Sequence, residues 1–437
     1  MGGGDPPLGR AHRLKLVDEH PEEHVPLIKR LGPGLITGAA DDDPSGIATY
    51  SQAGAQYGYG LLWSVLFTTP LMIGIQVISA RIGRVSGHGL AANIREHFPR
   101  PLLVVIVALL LFANTLNIAA DLSAMGNALE LVAGGRSEIY IVLFALVSLS
   151  LQIFVPFPRY APFLKWLTLA LLAYVGTVVV VHLSLEDLLA GALIPRLSKS
   201  GEYAAMFVAV LGTTISPYLF FWQASQEVEE QRATLGHEPL REAPAQARAH
   251  LRRIKIDTYV GMIYSNVIAA CIMLTTAVTL HAKGMTDIAT AEQAAQALRP
   301  LAGGFAFGLF AAGIIGTGLL AVPVLAGSAA YAVAESFRWP IGLGLSLAEA
   351  RGFYIVLSAA TLLGVAVDFS GMHSIRMLVW AAMVNGVIAV PIMAVMMLLA
   401  VKPAVMGSFV ISPRLQALGW LATAVMAGAV VAMVLLM

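Results

Sequence analysis

Charge is scarce in this chain. Lys, Arg, Asp and Glu make up 12% of its 437 residues, about half the share usual in a soluble domain. So few charges cannot cover a water-facing surface of this length. That excludes a soluble enzyme, a nucleic-acid binder and a disordered scaffold. Cysteine is nearly absent too: Cys271 stands alone, which excludes an internal disulfide framework. The net charge of +1 points to no polyanionic partner. Residues 1–30 hold no apolar run and read as a polar tail, not a cleavable signal peptide. No nucleophile–base pair, phosphate loop or metal cluster stands at a motif spacing, so no enzyme is expected.

What remains is apolar. Hydrophobic residues make up 58% of the chain and the mean hydropathy is +0.77. The apolar runs are of helix-span length, not the ~10-residue alternating strands of a barrel. Eleven such runs are expected, near 35–56, 61–83, 101–130, 138–156, 161–183, 204–226, 256–281, 302–334, 352–370, 374–400 and 415–437. The fourth and fifth meet at a tight turn, Pro156–Tyr160. With residue 1 inside, 21 of the 27 Lys and Arg fall on the cytoplasmic side. The outer six are Arg136, Arg196, Lys199, Lys283, Arg299 and Arg376. This bias fits the positive-inside rule and places Met437 outside. The expected fold class is an all-α polytopic membrane protein of 11 transmembrane helices, embedded in the lipid bilayer of a bacterial inner membrane.

Two spans carry interruptions. The first contains Asp41-Asp42-Asp43-Pro44-Ser45-Gly46, and carboxylates at membrane depth default to a functional reading. The sixth contains Gly212-Thr213-Thr214-Ile215-Ser216-Pro217-Tyr218. Proline cannot donate to the helix ladder. Breaks at matching places in two five-span halves point to an inverted-repeat transporter, whose freed carbonyls can hold a cation. The halves are 31–200 and 201–400, after the tail at 1–30 and before a final helix in 401–437. The same Asp43-Pro44 and Ser216-Pro217 pairs also read as helix caps with proline at the first helical position.

Gly32-Pro33-Gly34, Asp43-Pro44-Ser45-Gly46 and Gln52-Ala53-Gly54-Ala55-Gln56-Tyr57-Gly58-Tyr59 together resemble the opening of the Nramp family of divalent-metal transporters. Gln76, Ser79-Ala80-Arg81-Ile82-Gly83, Ala119-Ala120-Asp121-Leu122-Ser123, Asp257 and Asn266 extend the likeness along most of the chain. The resemblance implies ten helices in an inverted 5+5 repeat, the amino-acid-transporter-like fold, with helices 1 and 6 unwound, plus one extra helix. It implies a metal site at the family's Asp-Pro-Gly-Asn motif, where Asp43 matches the Asp and Gly46 replaces the Asn ligand. In the family's Ala-x-x-Met-Pro-His stretch this chain has Thr213, Ser216 and Tyr218. The carbonyls of Ala40 and Thr213 are expected to assist, with Asp41, Asp42 and Ser216 in support. Ser45 and Tyr218 line the pocket. In helix ten either Asn385 or Met383 fills the place of a Gln ligand. Asp121 and Arg351 match the family's buried ion-pair elements, but Ala124 and Tyr218 stand where it has proton-carrying Glu and His. Proton coupling is therefore in doubt.

Losing the thioether removes a soft ligand and losing the amide a neutral one, and the oxygens that remain favour Mg²⁺ or Mn²⁺ over soft metals. Both losses also suggest a roomier site, which suits a partly hydrated ion. The same enlargement keeps a small organic or anionic solute open as an alternative substrate, and an ion channel as a third class. No cofactor beyond the transported ion is expected. The oligomeric state stays undefined, with a monomer allowed.

Overall fold

The computed structural model describes residues 33–156, 159–160, 168–181, 184–234, 236–369 and 375–437. The polar tail, His373 and most of the 157–167 turn region lie outside these. The described chain is helical. It opens with α1 (Pro33–Asp41), α2 (Pro44–Tyr57), α3 (Leu62–Ser86), the short α4 (Leu90–His97), α5 (Arg100–Ala133) and α6 (Ser137–Phe154). Then come α7 (Leu172–Val180), α8 (Leu185–Leu193), α9 (Gly201–Thr214), α10 (Pro217–Ala233), α11 (Ala247–Thr279) and the short α12 (Ala291–Ala295). The chain closes with α13 (Ala306–Phe337), α14 (Arg351–Asp368), α15 (Ile375–Ala400) and α16 (Pro413–Leu436).

Among the described residues, nine helical stretches are long and apolar enough to cross a membrane, against the eleven expected. Two places account for the difference. The expected fifth span is represented by a shorter apolar helix, Leu169–Val180, because residues 161–167 are not described. The expected first and second spans run together as one stretch, Pro44–Ser86, joined by a 3-10 turn at Gly58–Leu61, with α1 set apart in front.

The loops expected inside do gather at one end of the bundle. Glu335, at the end of α13, accepts from the Ala92 amide of α4 and from Ser225 Oγ of α10. Lys402 donates to the His97 carbonyl and Arg81 to the Phe409 carbonyl. The opposite end is joined by Gln52, which bonds the backbone of Thr286 and Ile288. There Arg376 pairs with Asp287 at 2.6 Å.

Histidines that look scattered in sequence meet at the first end. His237 Nδ1 and His250 Nε2 both face Arg84 Nη2, at 3.4 and 2.9 Å. A guanidinium only donates, so both nitrogens must be acceptors. Partial burial and Arg84 hold the His237 imidazole below its ordinary pKa, which agrees with that geometry. Arg253 next to them bridges Glu227 and Glu230.

Glycine places α1. A Cβ built at Gly38 would stand 2.3 Å from the Gly261 carbonyl oxygen. A Cβ at Gly34 would stand 2.8 Å from the Thr258 amide nitrogen, and the Gly34 amide donates to Asp257 Oδ2 at 2.7 Å. This small-xxx-small face lets α1 and α11 touch backbone to backbone.

A candidate ion site at two helix breaks

Helix α1 stops at Asp41 and α2 restarts at Pro44. Proline supplies no amide and suits a first helical position. Asp43 is the N-cap, in extended conformation (φ −67°, ψ 169°), and its Oδ1 accepts the Gly46 amide at 2.7 Å. Such a cap is worth about 1 kcal/mol. Its other oxygen, Oδ2, takes a bond from Tyr218 at 3.1 Å.

The second break lies between α9 and α10, at Ile215 and Ser216. Pro217 again restarts the helix, but the Ser216 side chain does not cap α10. Its Oγ turns back to the carbonyls of Gly212 and Thr213, at 2.9 and 2.8 Å. Ser216 and the Thr213 carbonyl are thus occupied with each other.

The two breaks touch. A Cβ at Gly46 would stand 3.0 Å from Thr213 Oγ1 and 3.2 Å from the Asp41 carbonyl oxygen. Thr213 Oγ1 thus crowds the face of Gly46 where the sequence suggests added room. Where the family carries an Asn side chain, the Thr213 hydroxyl closes against helix backbone. Asp41, Asp42, Asp43 and Tyr218 are all buried.

Asp41 and Asp42 are held by a residue that the sequence did not single out. Ser265 Oγ of α11 lies 2.6 Å from Asp41 Oδ2 and 3.1 Å from Asp42 Oδ1. Asp41 Oδ1 and Asp42 Oδ2 have no hydrogen-bond partner among the described residues. The signal was there: Asp257, Gly261 and Ser265 recur every four residues, on the α11 stripe that receives α1.

The other expected site residues separate. Ala40 joins the centre, since its carbonyl accepts from Tyr218 at 3.0 Å. Asn385 does not, for its amide exchanges bonds of 2.8 and 3.2 Å with Asn117. Met383 lines an outer crevice with Gln56, Glu202, Arg376 and Trp380. Ser45 Oγ points to the Leu378 carbonyl at 3.1 Å. Asp121 is fully buried within electrostatic reach of Asp43, and neither of its carboxylate oxygens has a hydrogen-bond partner among the described residues. Arg351 is exposed at the start of α14, so the pair implied with Asp121 is not a buried one here. The resemblance matched residues by order along the chain, and order does not fix which way a helix end faces.

Two interrupted helices meeting at buried acids, inside an all-helical membrane bundle, define a membrane transporter. The family described as natural resistance-associated macrophage protein-like matches residues 34–436. A divalent metal cation transporter MntH of Aeromonas hydrophila is 26% identical over 415 residues, covering 91% of this chain and 93% of that one. A protein of the same name from Pectobacterium carotovorum is 28% identical over 341 residues, covering 75% and 78%. In structure, the chain resembles the Eremococcus coleocola manganese transporter crystallised with an aromatic bis-isothiourea compound. There the TM-score is 0.73 at 16% identity, over 94% of this chain and 87% of that one. The chain belongs to the Nramp family.

Proposed function

We propose that this protein carries divalent metal ions across the bacterial cytoplasmic membrane, with Asp43 as the central ligand. The observation that carries the reading is a buried carboxylate at a helix break, Asp43, in a chain whose curated relatives are named for divalent metal cation transport. The fold is an inverted repeat of helices 1–5 (31–200) and 6–10 (201–400) with an eleventh helix in 401–437, residue 1 inside and Met437 outside. Helices one and six, each in two pieces, move with their neighbours between inward and outward access.

The donors nearest Asp43 are oxygens: the Ala40 carbonyl and the Tyr218 hydroxyl. Oxygen donors suit Mn²⁺ or Mg²⁺. Mn²⁺ is also the metal named for the Eremococcus neighbour. With Ala124 and Tyr218 in place of the family's proton carriers, transport runs without obligatory proton movement. A small organic or anionic solute is not favoured, since the relatives' names specify metal cations.

The test is flux into proteoliposomes of Mn²⁺, Mg²⁺ and Ca²⁺, with internal pH followed. Saturable Mn²⁺ or Mg²⁺ uptake without acidification is expected. If no divalent cation moves, or Asp43→Ala leaves flux intact, the reading fails.

A further inference from the structure

Tyr218 is the second residue of α10, directly after Pro217, and its ring is fully buried. It has little freedom to move. Its hydroxyl oxygen lies 3.0 Å from the Ala40 carbonyl oxygen and 3.1 Å from Asp43 Oδ2. A phenol has one proton, and here two acceptors approach it. Both acceptors belong to the first break. Asp41 and Asp121 lie within electrostatic reach of the same hydroxyl.

Beyond Asp43 and the Ala40 carbonyl, the side-chain donors implied by the family resemblance are not available around this point. Gly46 has no side chain, Ser216 bonds its own helix, and Asn385 is paired with Asn117. The Tyr218 oxygen is what faces the Ala40–Asp43 pair instead. The two bonds set three oxygens side by side, and oxygen is the donor type that hard cations take.

We infer that the Tyr218 hydroxyl, fixed on α10, is a third oxygen ligand of the transported ion, and that it serves a small hard cation of strict geometry such as Mg²⁺ or Mn²⁺ more than Ca²⁺. This rests on the metal-carrier reading above. When the ion enters between the three oxygens, the phenol turns its proton outward and offers a lone pair. A hydroxyl that only held the empty site together would instead compete with the ion for Asp43.

The two roles predict opposite effects, so Tyr218→Phe separates them. Binding of Mn²⁺, Mg²⁺ and Ca²⁺ is measured by calorimetry on the purified full chain, with thermal unfolding as a check on folding. As a ligand, the hydroxyl's loss weakens Mn²⁺ and Mg²⁺ by about tenfold or more. Ca²⁺, with its longer bonds and looser geometry, weakens less. Unchanged or tighter binding, or an equal loss for all three ions, overturns the inference. If Tyr218→Phe does not fold, Tyr218→His replaces it. A nitrogen ligand there raises Mn²⁺ over Mg²⁺ by about tenfold, and an unchanged ratio overturns the inference. Absence of any divalent binding in the parent protein is a different result, and sinks the metal reading itself.

Discussion

The breaks after α1 and after α9 share a plan and differ in chemistry. Each ends one helix, leaves two residues out, and restarts on proline. At the first, the capping side chain is an acid with one oxygen on its own helix and one on Tyr218. At the second, Ser216 spends its hydroxyl on the carbonyls of the helix just finished. One break exposes charge to the centre of the molecule; the other covers its own dipoles. Matching topology therefore does not mean matching roles. On the proposed reading the first break holds the ion, while the second frames it and sends Tyr218 across.

That contrast can be broken by substitution. Asp43→Asn keeps the cap, because an amide oxygen also accepts from Gly46, but removes the charge. Metal flux should fall about a hundredfold or more with thermal stability little changed. Gly38→Ala tests the seat of the first break, not its charge. The added methyl meets the Gly261 backbone, and overpacking of this kind costs about 1–3 kcal/mol. A lower unfolding temperature in detergent should accompany reduced flux; an unshifted melt would mean that α1 does not need this contact.

Ser265→Ala leaves Asp41 and Asp42 without the hydroxyl they share. Flux should drop several-fold, since partners one step from a ligand commonly cost about ten- to a hundredfold when removed and Ser265 is a step further from Asp43. Flux at the parent rate would confine both acids to a passive role. Ser216→Ala should do least. Uptake stays within about twofold, and stability falls by about 1 kcal/mol for the lost hydroxyl bonds. If Ser216→Ala damages transport as much as Asp43→Asn, the asymmetry between the breaks is wrong.

Much of this was legible in residue order. Apolar run length gave the helices, and Pro44 and Pro217 marked the two restarts. Three acids at membrane depth singled out the first break. What order could not show was direction. Nothing in the string says that Ser216 turns backwards, that Asn385 finds Asn117, or that Arg351 stays exposed. Each depends on how a helix is rotated against its neighbours. Losing the Asn side chain at Gly46 suggests space, and residue order does not show that Thr213 Oγ1 comes close to that face of the glycine. Ser265 could have been found from the four-residue stripe on α11, once α1 was known to lie along it.

The seam between Gly38 and Gly261 matters most when nothing is being carried. A cell membrane holds a voltage worth about 2.3 kcal/mol per unit charge for each 100 mV, and twice that for a divalent ion. Any thread of water past the acids would let ions run down it. At this seam backbone lies on backbone, so no side chain stands between them whose rotation could admit water. Opening this seam therefore takes a movement of α1 as a unit, not the turning of one side chain.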